Sequence, residues 1–193
     1  MKKTQHKYEK VLRIGSHLMN LEGFRGTSLQ EIADKVGIHK STFFHYFKNK
    51  EELLLSVLNI AVDEPLSNLK RIYDNKDFSP TEKLRLAITD HLYFAVKYYD
   101  NVNVYHSEIK HLSRKNKKKY IALRKNYASY FERIINDIKK VENGYFNGLD
   151  SKIVSFGILG MCNWVSQWFK KKGPLKIEDI SNAFFRMIIP DQP

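Results

Sequence analysis

The residues best suited to chemistry lie between positions 39 and 46, where hydrogen-bonding side chains flank an aromatic pair. Phe43 and Phe47 are four residues apart, so on a helix both face the same way, toward a core. The side chains left on the outer face are donors and acceptors that can reach base edges and phosphates from a DNA major groove. That outer set is His39, Lys40, Ser41, Thr42, His45 and Tyr46.

Two helices joined by a glycine turn are predicted to position this set. Thr27 or Ser28 can cap the first helix, and Gly37 permits the left-handed backbone that a tight turn requires. The second helix is predicted over about residues 39–47, and a further helix starts near residue 49. The inward side chains of the first helix are Leu29, Ile32, Ala33 and Val36.

Positive charge concentrates in the same region. The whole chain of 193 residues has a formal net charge of +12. Residues 1–50 contain ten Lys or Arg and four acidic residues, which gives +6. Such an excess favours an anionic partner such as nucleic acid, an acidic membrane surface or a phosphorylated ligand. The alternative is an ordinary helical corner with a solvated basic face.

The rest of the chain has helical periodicity, which predicts an all-α fold. A first helix ends at Glu22–Gly23, and Pro65 is predicted to end one helix or begin the next. Ser79–Glu82 forms a capping box with proline at the first helical position. We expect a three-helix N-terminal domain over residues 1–50 and a helical ligand-binding and dimerisation domain over residues 51–193. Its later helices are predicted over about 80–98, 102–112, 120–141, 150–172 and 177–189, with Gly144 and Gly173 as stops.

Several classes of protein are disfavoured by what the sequence lacks. Cys162 is the single cysteine, which leaves no intramolecular disulfide and no cysteine-based zinc site. The longest apolar stretch, Ile153–Val165, is shorter than the roughly 20 residues of a membrane span. Phosphate loops and common hydrolase motifs are missing, and His91 beside Asp90 is typical of a core histidine. We expect a cytoplasmic protein that is not an enzyme, with no catalytic residue, metal or cofactor.

Residues 28–53 resemble the DNA-binding motif of the tetracycline-repressor (TetR) family of bacterial regulators. The matching stretches are Ser28–Ala33, Val36–His39, Phe43–Phe47 and Lys50–Leu53. The resemblance implies a double-stranded DNA operator as partner, a homodimer built on the last two long helices, and a ligand pocket in each C-terminal domain. His39 stands where the family usually has a capping serine, and Phe44 replaces a tyrosine whose hydroxyl often bonds phosphate. The implied DNA-binding residues are Thr27, Ser28, Gln30, His39, Lys40, Ser41, Thr42, Phe44, His45, Tyr46 and Lys50.

The last two helices carry more apolar side chains than one face can bury. The helix that follows Asp150 is apolar nearly all round, so it must be covered on most sides. A second copy of the chain is the expected cover, and a purely monomeric core is the alternative. The predicted dimer contacts are Phe156, Leu159, Trp168, Phe184 and Ile188.

Two features of the C-terminal half suggest an effector. Residues 110–125 hold eight Lys or Arg and no acid, either as a solvated face or as a dock for a phosphate-bearing head group. The segment from Tyr145 to Asp150, together with Leu159–Leu175, resembles a TetR subgroup of fatty-acid and sterol catabolism regulators that respond to acyl-coenzyme A (acyl-CoA) thioesters. That subgroup tends to have an upstream Arg-x-x-Tyr, which Arg124 and Tyr127 match. Trp164 also fits dimer packing. The predicted ligand-binding residues are Phe94, Tyr98, Arg124, Tyr127, Asn163 and Trp164.

These patterns together predict a ligand-responsive DNA-binding regulator. The leading hypothesis is a homodimeric repressor that an acyl-CoA thioester releases from its operator. One alternative is a regulator of the same type that binds a hydrophobic drug or a free fatty acid. Another is a basic helical protein that binds partners or a membrane surface. Activation and corepression are compatible with the same residues, because the sequence does not specify the sign of control.

Overall fold

The computed structural model describes residues 2–141 and 145–190, with side chains from residue 5 onward. Every element in these residues is helical, as the periodicity predicts, and the predicted stop at Gly144 lies outside them. No helix in the described part is long and apolar enough to cross a bilayer. The order is α1 (Lys2–Gly26), α2 (Leu29–Val36), α3 (Lys40–Phe43), α4 (Lys50–Asp74), α5 (Pro80–Lys97), α6 (Tyr99–Glu108), a 3-10 turn (Ile109–His111), α7 (Arg114–Val141), α8 (Ser151–Trp168) and α9 (Ile177–Ile188).

The helices pack into two units, of which unit 1 consists of Met1–Ala61 and Tyr98–Ala122. In unit 1, α1 packs against α2 and α6, and α2 packs against α3. α6 and the start of α7 thus accompany the N-terminal helices, an association that the boundary predicted at residue 50 does not include. The side chains that periodicity assigns to the inner faces are buried. They include Val11, Leu12, Leu18, Met19, Ile32, Ala33, Val36, Phe43 and Phe47.

Unit 2 consists of Val62–Lys97 and Leu123–Pro193, and in it α5 packs against both α8 and α9. The predicted capping box at the start of α5 is confirmed. The Ser79 N–H donates to Glu82 Oε2 at 2.8 Å, and the Glu82 N–H donates to Ser79 Oγ at 3.2 Å. Asp150 caps α8 as predicted, accepting from two backbone N–H groups. The core includes Leu69, Leu84, Ile88, Leu92, Phe131, Ile134, Ile135, Ile138, Ile158, Cys162 and Val165.

The predicted break at Pro65 is wrong, because α4 continues through it. A proline inside a helix removes a backbone hydrogen bond and costs about 3 kcal/mol. Val62 and Leu69, on either side of Pro65, are buried, and each such burial contributes about 1.5–3 kcal/mol. Burial along the helix therefore outweighs the proline penalty.

Two helix ends also differ from the prediction. α3 ends at Phe43, the chain continues in turns to Phe47, and Asn49 then caps α4. Its Oδ1 accepts from the Glu52 N–H at 2.8 Å. α8 ends at Trp168, so residues 170–172 lie beyond it, in a turn closed by the Gly173 N–H on the Lys170 carbonyl at 2.8 Å.

Candidate nucleic-acid interface and candidate effector site

Residues 27–50, which we call the reading segment, are fixed in unit 1 by a cap and a turn. Ser28 is the N-cap of α2, and its Oγ accepts from the Gln30 N–H at 3.2 Å. Gly37 has φ +79°, the left-handed conformation predicted for the turn. Its N–H donates to the carbonyl oxygens of Ala33 and Asp34. The turn between α2 and α3 therefore satisfies two of the carbonyls in the last turn of α2.

Two aromatic side chains hold α3 in place. Phe43 is fully buried and Phe47 is 2% exposed, so the prediction that both face the core is confirmed. Their ring centroids are 5.4 Å apart, and Tyr8 stacks on Phe47 at 5.2 Å. His39 occupies the N-cap position of α3 but makes no side-chain cap hydrogen bond. The histidine that replaces the family's usual capping serine therefore supplies no side-chain cap to α3.

Most of the predicted DNA contacts are accessible in unit 1. Thr42 and Tyr46 are half-buried, and the Tyr46 ring lies 6.2 Å from the Tyr8 ring. Their role in DNA contact stays a prediction, as does that of the exposed residues. The exposed members are Ser28, Gln30, His39, Lys40, Ser41, Phe44 and His45.

Two predicted contacts are engaged inside the protein. Thr27 is 1% exposed, and both its hydroxyl and its N–H donate to the Gly23 carbonyl, at 2.9 and 3.2 Å. Both hydrogen-bond donors of Thr27 and nearly all of its surface are thus engaged within unit 1, and its contact with DNA stays a prediction. Lys50 is half-buried, with its Nζ donating to the Arg25 carbonyl at 3.2 Å and lying 4.8 Å from the Phe24 ring centroid. Burial lowers the pKa of the Lys50 ammonium.

The segment from α6 to α7 is fastened to both ends of the reading segment, which sequence patterns did not suggest. At Phe24, just before the reading segment, Glu108 Oε2 accepts from the backbone N–H at 3.0 Å, and His111 stacks on the ring at 4.9 Å. At Glu51, just after the reading segment, Oε1 accepts from the Ser113 N–H at 2.8 Å and from Asn116 Nδ2 at 2.6 Å. These hydrogen bonds join residues more than 60 positions apart, so no local pattern could signal them.

In unit 2, three side chains from three helices form a hydrogen-bonded row that we call the effector wall: His91 (α5), Tyr127 (α7) and Asn163 (α8). His91 Nδ1 lies 2.9 Å from Tyr127 Oη, and His91 Nε2 lies 3.1 Å from Asn163 Oδ1. The amide oxygen only accepts, so Nε2 carries the ring proton and Nδ1 accepts from the Tyr127 hydroxyl. The expectation of a satisfied histidine is confirmed, but its two partners are both predicted ligand-binding residues.

Burial keeps the effector wall uncharged. It lowers the pKa of His91 to about 4, and the positive charge of Arg124 acts in the same direction. Burial also raises the pKa of Tyr127 well above its ordinary value. The neighbouring Cys162 is fully buried, which raises the pKa of its thiol to about 12. At neutral pH the wall presents neutral donors and acceptors, which suit an uncharged polar group such as a carbonyl.

The other predicted ligand residues differ in burial and in the unit to which they belong. Phe94 is buried in unit 2, and Arg124 is half-buried and close enough to influence the charge of His91. Trp164 is 67% exposed although its neighbour Asn163 belongs to the wall. Tyr98 belongs to unit 1. The structure thus brings Tyr127 and Asn163 together through His91, and the roles of all six residues in ligand binding stay predictions.

Apolar side chains of α8 follow an exposed stripe at helical spacing. Phe156 is 52% exposed and Trp168 is 42% exposed, whereas Phe184 and Ile188 on α9 are half-buried. Leu159 is buried within unit 2, so it lies off this stripe, and its place at a dimer contact stays a prediction. The stripe consists of Ile153, Phe156, Gly157, Gly160, Trp164 and Trp168.

Two family models match this chain. One describes bacterial regulatory proteins of the tetR family and matches residues 12–57, which include α2, α3 and the reading segment. The other describes a tetracyclin repressor-like C-terminal domain and matches residues 77–190. The second match alone spans more than half of the 193 residues.

Individual relatives extend along nearly the whole chain. The HTH-type transcriptional repressor KstR2 of Mycolicibacterium smegmatis is 26% identical over 184 residues, 94% of this chain and 88% of that protein. The fatty acid metabolism regulator protein of Bacillus subtilis is 21% identical over 191 residues, 98% of this chain and 97% of that protein. AibR, solved in complex with isovaleryl coenzyme A and operator DNA, superposes with a TM-score of 0.80 at 27% identity, covering 95% of this chain and 98% of its own. The chain belongs to the tetR family of bacterial regulatory proteins, and it is a DNA-binding transcriptional regulator.

Proposed function

We propose that this protein is a homodimeric cytoplasmic repressor that an acyl-CoA thioester releases from its operator. The observation that carries the proposal is the effector wall in unit 2. It joins three neutral polar side chains that come from separate helices and are packed among aromatic rings. The His91 ring lies 5.7 Å from the Tyr127 ring and 6.1 Å from the Phe131 ring.

The wall suits the chemistry of a thioester. The Asn163 amide oxygen accepts a hydrogen bond from the His91 Nε2–H, and the amide nitrogen carries two N–H donors of the kind that bind a carbonyl oxygen. Aromatic rings beside it suit an acyl chain, since ligand sites are largely apolar with a few placed polar groups. Arg124 would supply the positive charge for a coenzyme A phosphate.

The relatives support the same class of effector. AibR was solved with isovaleryl coenzyme A, and a repressor KstR2 and a fatty acid metabolism regulator are similar to this chain along most of its length. The alternatives of a free fatty acid or a hydrophobic drug would use the same aromatic surface without a phosphate contact.

The exposed stripe of α8 supports a homodimer. Trp164 and Trp168 are large apolar side chains that leave much of their surface open in the single chain. Gly157 and Gly160 on the same helix have open space where a side chain would stand, which lets a second helix approach closely. A second copy would cover the stripe, so we assign Trp164 to the dimer contact rather than to the ligand.

A dimer couples the effector to DNA through the spacing of two reading segments. Recognition elements of a two-fold dimer must lie about 34–36 Å apart to enter successive major grooves. An effector that prefers a dimer with another spacing weakens DNA binding by that preference. α4 and α7 each contribute residues to both units, so both helices are candidates to carry the change.

The test is a mobility shift of the purified protein on DNA from around its own gene, with and without long-chain acyl-CoA. We expect a sequence-specific shift that acyl-CoA reverses and that neither free fatty acid nor coenzyme A reverses. A shift that only a free acid reverses would replace the proposed effector. DNA binding without sequence preference would contradict the regulator itself.

A matched pair of variants tests the effector wall. Asn163→Leu replaces the amide by an apolar side chain of the same branched shape, so it is expected to keep the DNA shift and lose most of the acyl-CoA response. Asn126→Leu makes the same change at an exposed position of α7 and is expected to behave like the wild type. An unchanged acyl-CoA response in Asn163→Leu would contradict the assignment of the wall.

A further inference from the structure

Residues 110–119, which we call the basic segment, form a dense exposed patch of positive charge in unit 1. They run from the 3-10 turn into the first two turns of α7. Each of the six cations in this segment is exposed, and in the described part of the chain none of them forms an ion pair. The six are Lys110, Arg114, Lys115, Lys117, Lys118 and Lys119.

This charge is unfavourable for the helix that carries it. The N-terminus of a helix has a partial positive charge, so acids there stabilise and cations destabilise. α4, α5 and α9 each place at least one acid in the first turn, whereas α7 has none and begins with Arg114 and Lys115. Like charges four residues apart, such as Lys115 and Lys119, add further repulsion. A local arrangement that opposes its own helix indicates a function outside the helix.

The basic segment lies against both ends of the reading segment. On one side, His111 stacks on Phe24, and the Lys50 ammonium lies 4.8 Å from the centroid of the same Phe24 ring. On the other side, Glu51 in the first turn of α4 accepts hydrogen bonds from Ser113 and Asn116. The start of α7 is therefore held beside the start of α4, directly after the turns that follow α3.

We propose that the basic segment binds the phosphate backbone of the DNA duplex that the reading segment engages. This inference rests on the proposed function, because it requires DNA to be bound by unit 1. Lysine and arginine side chains that neutralise phosphates add affinity without reading sequence. The segment therefore strengthens binding to any duplex and leaves the choice of operator to the reading segment.

Unit membership favours DNA over the effector as the partner of the segment. The six cations belong to unit 1 together with the reading segment, whereas Arg124 and Lys125, the remaining cations of the run, belong to unit 2 with the effector wall. The continuous basic run of the sequence is thus divided into two groups. The six cations of unit 1 accompany the DNA-binding elements.

The experiment measures binding of the full-length protein to its operator duplex and to a scrambled duplex over a range of salt concentrations. The variant Lys115→Gln/Lys118→Gln/Lys119→Gln removes three exposed charges and keeps good helix formers. We expect at least about tenfold weaker binding to both duplexes at 0.1 M salt, with the same preference for the operator. The slope of log affinity against log salt is expected to become shallower by about 3 for each protomer that binds, since each of the three lost phosphate contacts removes about 0.9.

Two controls keep the result interpretable. The variant Lys170→Gln/Lys171→Gln/Lys172→Gln makes the same charge change at exposed positions of unit 2 and is expected to bind DNA as the wild type does. The melting temperature of the first variant is expected to stay equal or rise, because like-charge repulsion in α7 is relieved, so misfolding cannot mimic the loss.

Three outcomes would overturn the inference. Unchanged affinity and an unchanged salt slope in the first variant would show that the basic segment does not contact phosphates. Unchanged DNA binding with weaker acyl-CoA binding would assign the segment to the effector. Equal losses of DNA affinity in both lysine variants would mean that the net charge of the protein, and not the position of the basic segment, sets the affinity. Failure of the wild type to prefer its operator would instead overturn the proposed function, so the two failures are distinguishable.

Discussion

The reading segment and the effector wall are built by opposite routes. The reading segment is one continuous stretch, residues 27–50, in which a cap, a glycine turn and an aromatic pair position every outward side chain. The effector wall takes His91, Tyr127 and Asn163 from three helices. Its two hydrogen bonds span 36 positions of the chain in one case and 72 in the other. Local rules specify the cap, the turn and the aromatic spacing of the first, and packing then holds it in place, whereas only the packing of unit 2 creates the second.

Phe43 is the buried ring whose loss should destabilise the reading segment most. Phe43→Ala removes a fully buried side chain and should lower the free energy of unfolding by about 3–5 kcal/mol. Its neighbour Phe44 is 47% exposed, so Phe44→Ala should change stability by less than about 1 kcal/mol. Urea denaturation of the two variants checks the contrast. Similar losses in both would mean that the two rings do not divide into core and surface.

The buried histidine of the effector wall should make the stability of the protein depend on pH. The folded pKa of His91, about 4, lies below its ordinary value of 6.5, so the unfolded chain binds the proton first as pH falls. The free energy of unfolding should therefore decrease between pH 6.5 and pH 4, by about 3 kcal/mol from this group, and be fully retained above pH 6.5.

Variants isolate that contribution from other titrating groups. His91→Gln should have a flatter profile of unfolding free energy against pH than the wild type. His45→Gln makes the same change at an exposed position of the reading segment and should keep the wild-type profile. Parallel profiles for wild type and His91→Gln, measured by thermal or urea unfolding, would contradict a buried neutral histidine in the wall.

The smallest expected effect concerns Ser28, which caps α2 and is also a predicted DNA contact. Ser28→Ala should lower the free energy of unfolding by about 1 kcal/mol, because the Gln30 N–H loses its acceptor. Ser28→Asp keeps a good cap, so stability should be retained while the added negative charge weakens DNA binding. Denaturation and DNA titration of both variants separate the two roles. Equal DNA affinity for Ser28→Asp and wild type would remove Ser28 from the interface.

Most of the fold could be predicted from the sequence, because helical periodicity and capping residues act over a few positions. Asp150 and Ser79–Glu82 cap their helices as predicted, and Gly37 adopts the left-handed turn. The errors arise where packing competes with a local rule. α4 continues through Pro65, since apolar residues on both sides of it are buried.

The candidate sites were predictable to different degrees. Thr27 and Ser28 are equivalent as capping residues in the sequence, and only the structure buries Thr27 against the Gly23 carbonyl. His91 was expected to be an ordinary core histidine, because nothing near it in the sequence identifies Tyr127 or Asn163 as its partners. Leu159 and Trp164 lie on one apolar helix, and their opposite exposures depend on which face meets α5.

The burial of Cys162 has a practical consequence for watching this regulator work. A fully buried thiol whose pKa is raised to about 12 remains protonated and unreactive toward maleimide or methanethiosulfonate reagents at neutral pH. Since it is the only cysteine, the unmodified chain already serves as a silent background for labelling. A thiol introduced at an exposed α2 position, for example by Lys35→Cys, would accept a single spin label or fluorophore. Distances between two such labels in a dimer would directly report the separation of the two reading segments in solution as an effector is added.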